Sequence, residues 1–300
     1  MTSRAATFPF EPSEHAMTIA LTRQVSPRLN ECALTYMDRD PIDVTRARAQ
    51  HAAYEDALRA MGAEVVSLPP DADLPDGCFI EDTALVLDGA AIIARMRRDS
   101  RAPETSLTAT LLATQRPLAR IEPPGRLEGG DAFLVGRTIF VGVSTRTNED
   151  GIAQLRRIAE PLDHRVVAVP VIGCLHLTTG ASLLAGERVL ANPAWIDTRP
   201  IREAGAEVIP VDPAEPWAAN TLRLAGQTLL GESFPRTREL IESLGVRTRV
   251  TDISALMKAE AGLTCMSLLF EGDAEALRRA IPPAVTAGRA QTPERSTTRA

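Results

Sequence analysis

The sequence predicts an α/β protein built as one closed ring of five hairpin-helix-strand (ββαβ) units. Three observations predict it. Pairs of short apolar segments hinged on a glycine recur four times, each is followed by a helical pattern and then a short strand, and the two ends of the chain carry the parts of a fifth unit. A repeat that cannot bury its apolar face alone stacks on its neighbours, so a fifth unit shared by both ends closes the ring.

The four hairpins are residues 83–96, 132–143, 182–192 and 222–232, turning at Gly89, Gly136, Gly186 and Gly226. The first is followed by a helix over 103–116, opened by Pro103 and Glu104 and carrying Leu107, Leu111 and Leu112 at helical spacing. After the second, Asn148 is an N-cap for a helix over 148–160 with Ile152, Leu155 and Ile158 on one face. The third helix, near 195–204, is the weakest, and the fourth runs 235–244 from Pro235 to a stop at Gly245. Closing strands fall at 165–170, 207–210 and 247–251. The fifth unit takes strands from 264–272 and 17–22, a helix from Asp43 to Met61 with Gly62 ending it, and a strand over 64–69. A doubly wound sheet is the alternative, weakened because no glycine-rich phosphate loop follows a strand.

Composition narrows the function. In 300 residues, aromatics make up 4% and the net charge is −6, a poor basis for stacking on bases or neutralising phosphates. No apolar run approaches the roughly 20 residues of a membrane span, and the first residues lack a secretory apolar core. Four widely spaced cysteines, Cys32, Cys78, Cys174 and Cys265, suggest a reducing, cytoplasmic compartment. Residues 1–16 and 284–300 read as flexible tails around a single domain over 17–283.

Polar residues interrupt the pattern at four hairpin mouths, 76–82, 127–131, 173–177 and 262–267. Taken singly, Cys265 reads as a small core hydrophobe, His176 as a satisfied structural histidine and Glu128 as part of an exposed turn. Together they supply a nucleophile, a proton carrier and a carboxylate to orient the imidazole, from three separate units. A metal site is the weaker reading, because the spacing of Cys174 and His176 fits no common zinc pattern.

These residues carry a resemblance. The runs Asp76-x-Cys-Phe-Ile-Glu81-Asp82-Thr, Leu127-Glu-Gly-Gly-Asp131, Gly142-x-Ser-x-Arg146-Thr-Asn148, Leu175-His176-Leu and Leu263-Thr-Cys265, in this order across most of the chain, resemble the dimethylarginine dimethylaminohydrolases. That family belongs to the guanidine-modifying superfamily, whose fold is a five-unit α/β propeller.

The resemblance implies Cys265 as nucleophile, His176 as acid and then base, and Glu128 as the group orienting His176. It implies Glu81 and Asp82 on the guanidinium, Arg101 and Arg146 on the substrate carboxylate, and Asp76 with the carbonyls of Leu29 and Ala259 on the α-ammonium. Arg101 lies in a run that departs from the family pattern, with Arg98 as the fallback. Leu29 falls in a polar stretch, 24–39, that reads as a lid. The implied reaction hydrolyses N-methylated arginine to citrulline and an amine, with no metal or organic cofactor. The partner is a small-molecule guanidine, with no nucleic acid or membrane, and a homodimer is compatible. Arginine deimination or amidino transfer are the alternatives, with a non-catalytic binding propeller behind them. Thr178, where deiminases of this fold carry Asp, favours the methylated substrate.

Overall fold

The computed structural model describes residues 17–283; the tails read from the sequence, 1–16 and 284–300, lie outside the described residues. In chain order the elements are β1 (Met17–Arg23), α1 (Val44–Ala60), β2 (Glu64–Leu68), β3 (Ala84–Leu87), β4 (Ala90–Ile93), α2 (Glu104–Leu112), β5 (Leu118–Arg120), β6 (Ala132–Val135), β7 (Thr138–Val143), α3 (Glu149–Ala159), β8 (Arg165–Pro170), α4 (Leu177–Gly180), β9 (Ala181–Ala185), β10 (Arg188–Ala191), α5 (Arg199–Glu203), β11 (Glu207–Pro210), β12 (Leu222–Leu224), β13 (Gln227–Gly231), α6 (Pro235–Ser243), β14 (Arg247–Thr251), α7 (Ser254–Met257), β15 (Ser267–Gly272) and α8 (Ala274–Ala280).

The strands form five three-stranded sheets, ordered β3-β4-β5, β6-β7-β8, β9-β10-β11, β12-β13-β14 and β15-β1-β2. In every sheet the first strand is antiparallel to the middle one, and the middle one is parallel to the third. A tight hairpin suffices for the first pairing; the second requires a crossover, supplied by a helix between strands. The last sheet joins the two ends of the chain, with Met17 opposite Gly272 and Ile19 beside Glu64.

Where the apolar side chains go shows why the ring must close. Five buried clusters form, and each lies between neighbouring units. Leu85 and Leu87 pack with Ile139 and Val141; Phe133 and Phe140 with Val189 and Ile201; Leu184 and Leu190 with Leu230 and Ile241; Leu222 and Leu229 with Tyr54 and Leu58; Ile19 and Leu268 with Ala84 and Ile93. An α/β propeller in which each unit buries its apolar face on the next has no free end.

Local chemistry explains the elements. Asp43 caps α1 by accepting from the Arg46 N–H, and Asn148 caps α3 by accepting from the Gly151 N–H. Gly136, Gly186 and Gly226 turn their hairpins with positive φ. Gly89 has a different reason: a Cβ there would sit 2.6 Å from a Leu162 methyl. The first unit's closing strand, β5, is three residues long and too polar to announce itself, and the third unit's helix is only the five residues of α5.

Each innermost strand is preceded by one short helical turn. Ile80–Thr83, Gly129–Asp131, α4, Pro216–Ala219 and Thr264–Met266 lead into β3, β6, β9, β12 and β15. The five turns meet at one end of the ring axis. Below them the five inner strands enclose an axial cavity of about 310 Å³, with Glu81, Gly129, Thr178 and Thr264 in its roof.

Candidate active site

The turns deliver the polar residues that the sequence singled out. Glu81 and Asp82 stand in a 3-10 turn, in which successive side chains point in different directions. Asp82 is buried: its Oδ2 accepts from Arg101 at 2.7 Å, while its Oδ1 has no hydrogen-bond partner among the described residues and lies 3.6 Å from Nδ1 of His176. Glu81 accepts from the Thr264 hydroxyl at 2.8 Å and the Thr178 hydroxyl at 3.5 Å.

The Gly129-Gly130 pair is what lets these groups crowd together. A Cβ on Gly129 would lie 2.0 Å from the Glu81 carbonyl, and one on Gly130 would lie 2.6 Å from Asp82 Oδ1 and 2.9 Å from His176 Nδ1. Glu128 just before them is fully buried and bonds Nε2 of His176 at 2.9 Å, with Arg146 on the same oxygen at 3.3 Å. Its other oxygen accepts from the Arg97 amide at 2.8 Å. Asp131 fixes the histidine segment from below, accepting from the Leu177 N–H at 3.0 Å and the Ser144 hydroxyl at 2.6 Å.

Cys265 is buried in the turn before β15, and the Gly262 N–H points at its sulfur from 3.4 Å. Burial, and then the Glu81 and Asp82 charges, push its thiol well above the ordinary range. Burial and the neighbouring Asp82 charge likewise raise Glu81 to about 8. For His176 burial works against the charged ring, but Asp82, the Glu128 hydrogen bond and Asp131 outweigh it and hold the imidazolium up to about 9. Burial opposes the Glu128 charge too, yet His176, Arg101 and Arg146 keep it low.

The ligand atoms of Asp82, Glu128 and His176 lie within 4.8 Å of one another, close enough to hold a divalent ion. Arg101 and Arg146 already neutralise the two carboxylates, so hydrogen bonding within the protein accounts for the cluster.

The outer residues separate into two groups. Arg101 donates to both oxygens of Glu104 at 2.9 and 2.8 Å, to Asp82, and to the Phe79 carbonyl, so four of the five N–H donors of its guanidinium are engaged. Arg98 instead reaches the 24–39 segment, donating to the Leu34 carbonyl at 3.0 Å, and Arg146 meets the Thr35 hydroxyl of the same segment at 3.0 Å. Asp76 accepts from the Ala33 N–H at 3.0 Å. Leu29 packs its side chain in the same core as Ala259, and its carbonyl accepts from the Cys32 N–H at 3.0 Å. Ala259 is buried and adjoins Glu260, whose carboxylate accepts from the amides of Thr35, Tyr36 and Met37.

Reading the sequence passed over Glu260, Glu104, Thr264 and Asn220. Asn220 had a signal, since it stands before the fourth inner strand just as Cys265 stands before the fifth.

Residues 27–203 match the family model described as N,N dimethylarginine dimethylhydrolase, eukaryotic. A dimethylarginine dimethylaminohydrolase of Streptomyces coelicolor is 36% identical over 256 residues, 83% of this chain and 95% of the relative. One of Pseudomonas aeruginosa is 34% identical over 230 residues, 76% of this chain and 90% of the relative. The solved structure of the Pseudomonas aeruginosa enzyme, a cysteine-to-serine variant complexed with citrulline, superposes with a TM-score of 0.79 at 32% identity, over 85% of this chain and 99% of that one. Motif order, ring architecture and these identities agree: the chain belongs to the dimethylarginine dimethylaminohydrolase family.

Proposed function

We propose that this protein hydrolyses asymmetric dimethylarginine and monomethylarginine to citrulline and dimethylamine or methylamine. Besides family membership, the observation that carries the reading is the buried Oδ1 of Asp82, which accepts no hydrogen bond, faces the His176 ring at 3.6 Å and is held there by an arginine on the other oxygen. A buried acceptor without a donor is costly, and a guanidinium N–H would satisfy it.

The chemistry follows from the protonation states. With Glu81 and Asp82 close by, the Cys265 thiol keeps its proton at rest. A bound guanidinium offsets the carboxylate charge, the Glu81 and thiol protons leave to solvent, and the Gly262 N–H supports the thiolate. The sulfur lone pair forms the C–S bond to the guanidinium carbon. The bond to the methylated nitrogen breaks as the His176 imidazolium gives its proton to the departing amine. The thiouronium is then attacked by water, one of whose protons returns to His176; as the C–S bond breaks the second proton leaves to solvent, restoring the thiolate and leaving citrulline. Glu128 holds the ring in orientation and stabilises its charge throughout.

Arg146 and the remaining N–H of Arg101 are suited to the substrate carboxylate, and Asp76 with the Ala259 carbonyl to its ammonium. Arg98 fastens the lid. The four described cysteines are free and buried, which supports a reducing, cytoplasmic setting for a single catalytic domain over 17–283. No described helix is long and apolar enough to cross a membrane.

Citrulline release from asymmetric dimethylarginine, monomethylarginine and arginine tests the reading, with Cys265→Ser as control. Turnover of the methylated substrates above arginine, abolished in Cys265→Ser, is expected. Faster turnover of arginine would make the protein a deiminase, and full activity of Cys265→Ser would remove the thiol mechanism.

A further inference from the structure

Four of the five units place a reacting or substrate-binding group at the head of their inner strand: Glu81 and Asp82, Glu128, His176, and Cys265. The fourth unit places Asn220 there, buried between the turn Pro216–Ala219 and β12. Its amide makes three hydrogen bonds, and their polarity is unambiguous. Oδ1 accepts from the Thr264 N–H at 3.1 Å, while Nδ2 donates to the Thr178 carbonyl at 2.8 Å and to the Thr264 hydroxyl at 3.0 Å. The side chain therefore grips the residue before Cys265 and the residue two after His176.

Two consequences follow. Since the Thr264 hydroxyl oxygen accepts from Asn220, its own hydrogen is directed to Glu81, the bond observed at 2.8 Å. On the other side the amide lies flat on Gly262, where a Cβ would be 2.3–2.7 Å from the Asn220 amide atoms. That same Gly262 presents its N–H to the Cys265 sulfur at 3.4 Å. Residues 262–265 are thus held between Asn220 and Glu81.

We propose that Asn220 is a positioning residue for the reaction, clamping the nucleophile turn to the histidine segment and aiming the Thr264 hydroxyl at Glu81. The proposal rests on the reading of Cys265 as the nucleophile, and its test includes a readout that does not need turnover.

The experiment compares Asn220→Ala, Thr264→Val and the double variant with the unaltered chain for kcat, KM on asymmetric dimethylarginine, thermal melting, and the rate of Cys265 alkylation by iodoacetamide. Asn220→Ala is expected to lose about 10²-fold in kcat, as for a displaced reacting group, with KM within about threefold. Its alkylation rate should change, because the Gly262 N–H no longer stays on the sulfur. Thr264→Val, which keeps the side-chain shape, should show a smaller loss of the same kind, and the double variant should be no worse than Asn220→Ala alone. Unchanged kcat and alkylation in a folded Asn220→Ala, or strictly additive losses, would overturn the clamp. Should Asn220→Ala not fold, Thr264→Val decides: normal kcat there removes the proposal. A Cys265 alkylation change in a chain that does not turn over methylarginine would support the clamp while the reaction assigned above fails.

Discussion

The two sides of the site are electrostatic opposites. On one, His176, Glu128 and Arg146 form a closed set in which each charge meets its counterpart at 2.9 or 3.3 Å. On the other, Cys265 is buried and Glu81 half-buried, and their hydrogen-bond partners are only hydroxyls and an amide. The paired side keeps its charges in the dry interior, with the ring protonated and the carboxylate ionised. The unpaired side keeps its protons, because burial and the neighbouring carboxylates outweigh what His176 and Arg101 offset. The difference teaches a division of labour: a proton donor built complete by the fold, and a nucleophile that waits for the substrate's own charge.

Breaking the paired side should have the larger effect. Glu128→Gln keeps the shape and removes the charge that orients and stabilises imidazolium, so kcat should fall about 10⁴-fold, in the manner of a triad carboxylate changed to its amide. The His176 titration, followed by NMR of the ring protons, should move down from about 9 in the same variant. A His176 titration unchanged by the substitution would mean that Asp82 alone sets the charge, and that the two sides are not distinct.

The unpaired side is sharpened by Glu81→Gln. Folding raises Glu81 from its ordinary 4.5 to about 8, so the folded chain retains a proton that the unfolded chain releases. The stability this contributes is full below about 4.5 and is lost as pH rises through about 8. His176, raised from 6.5 to about 9, contributes stability that is full below 6.5 and lost as pH rises through 9. Thermal melting from pH 4.5 to 9.5 should therefore decline over the whole range in the unaltered chain, and mainly above 6.5 in Glu81→Gln. Parallel curves would show that Glu81 does not carry the proton. In the assay the same variant should lose about 30-fold in kcat/KM, the scale of one charged hydrogen bond.

The ring and the centre of the site were legible because both rest on patterns that sequence displays. Glycine-hinged apolar pairs announce the hairpins, and Cys265, His176 and Glu128 interrupt them at equivalent places. What Glu81 and Asp82 each meet was not legible, since it depends on a 3-10 turn at Ile80–Thr83 and on glycines of the next unit making room. The place of Asn220 before the fourth inner strand was visible but its role was not, because an asparagine before a strand is an ordinary turn residue until Gly262 and Thr264, more than forty positions away, are seen to close on it. The run of arginines from 95 to 101 was ambiguous for a similar reason. Charge alone cannot say which guanidinium meets Glu104 in the interior and which meets a backbone carbonyl of the lid.

That ambiguity gives the smallest and most discriminating prediction. Arg98 donates to the Leu34 carbonyl at 3.0 Å and, more weakly, to the Thr35 hydroxyl at 3.4 Å, and is half-buried, whereas Arg101 is enclosed by two carboxylates. Removing Arg98 strands no buried charge, so Arg98→Ala should melt within about 2 °C of the unaltered chain, as an exposed-face change does. The lid should close less firmly, and KM for the methylated substrates should rise about fivefold, the worth of one hydrogen bond, with kcat nearly unchanged. Steady-state kinetics on both substrates checks this. A loss confined to kcat would place Arg98 with the reacting groups, and would move the boundary between lid and site inward from Leu34.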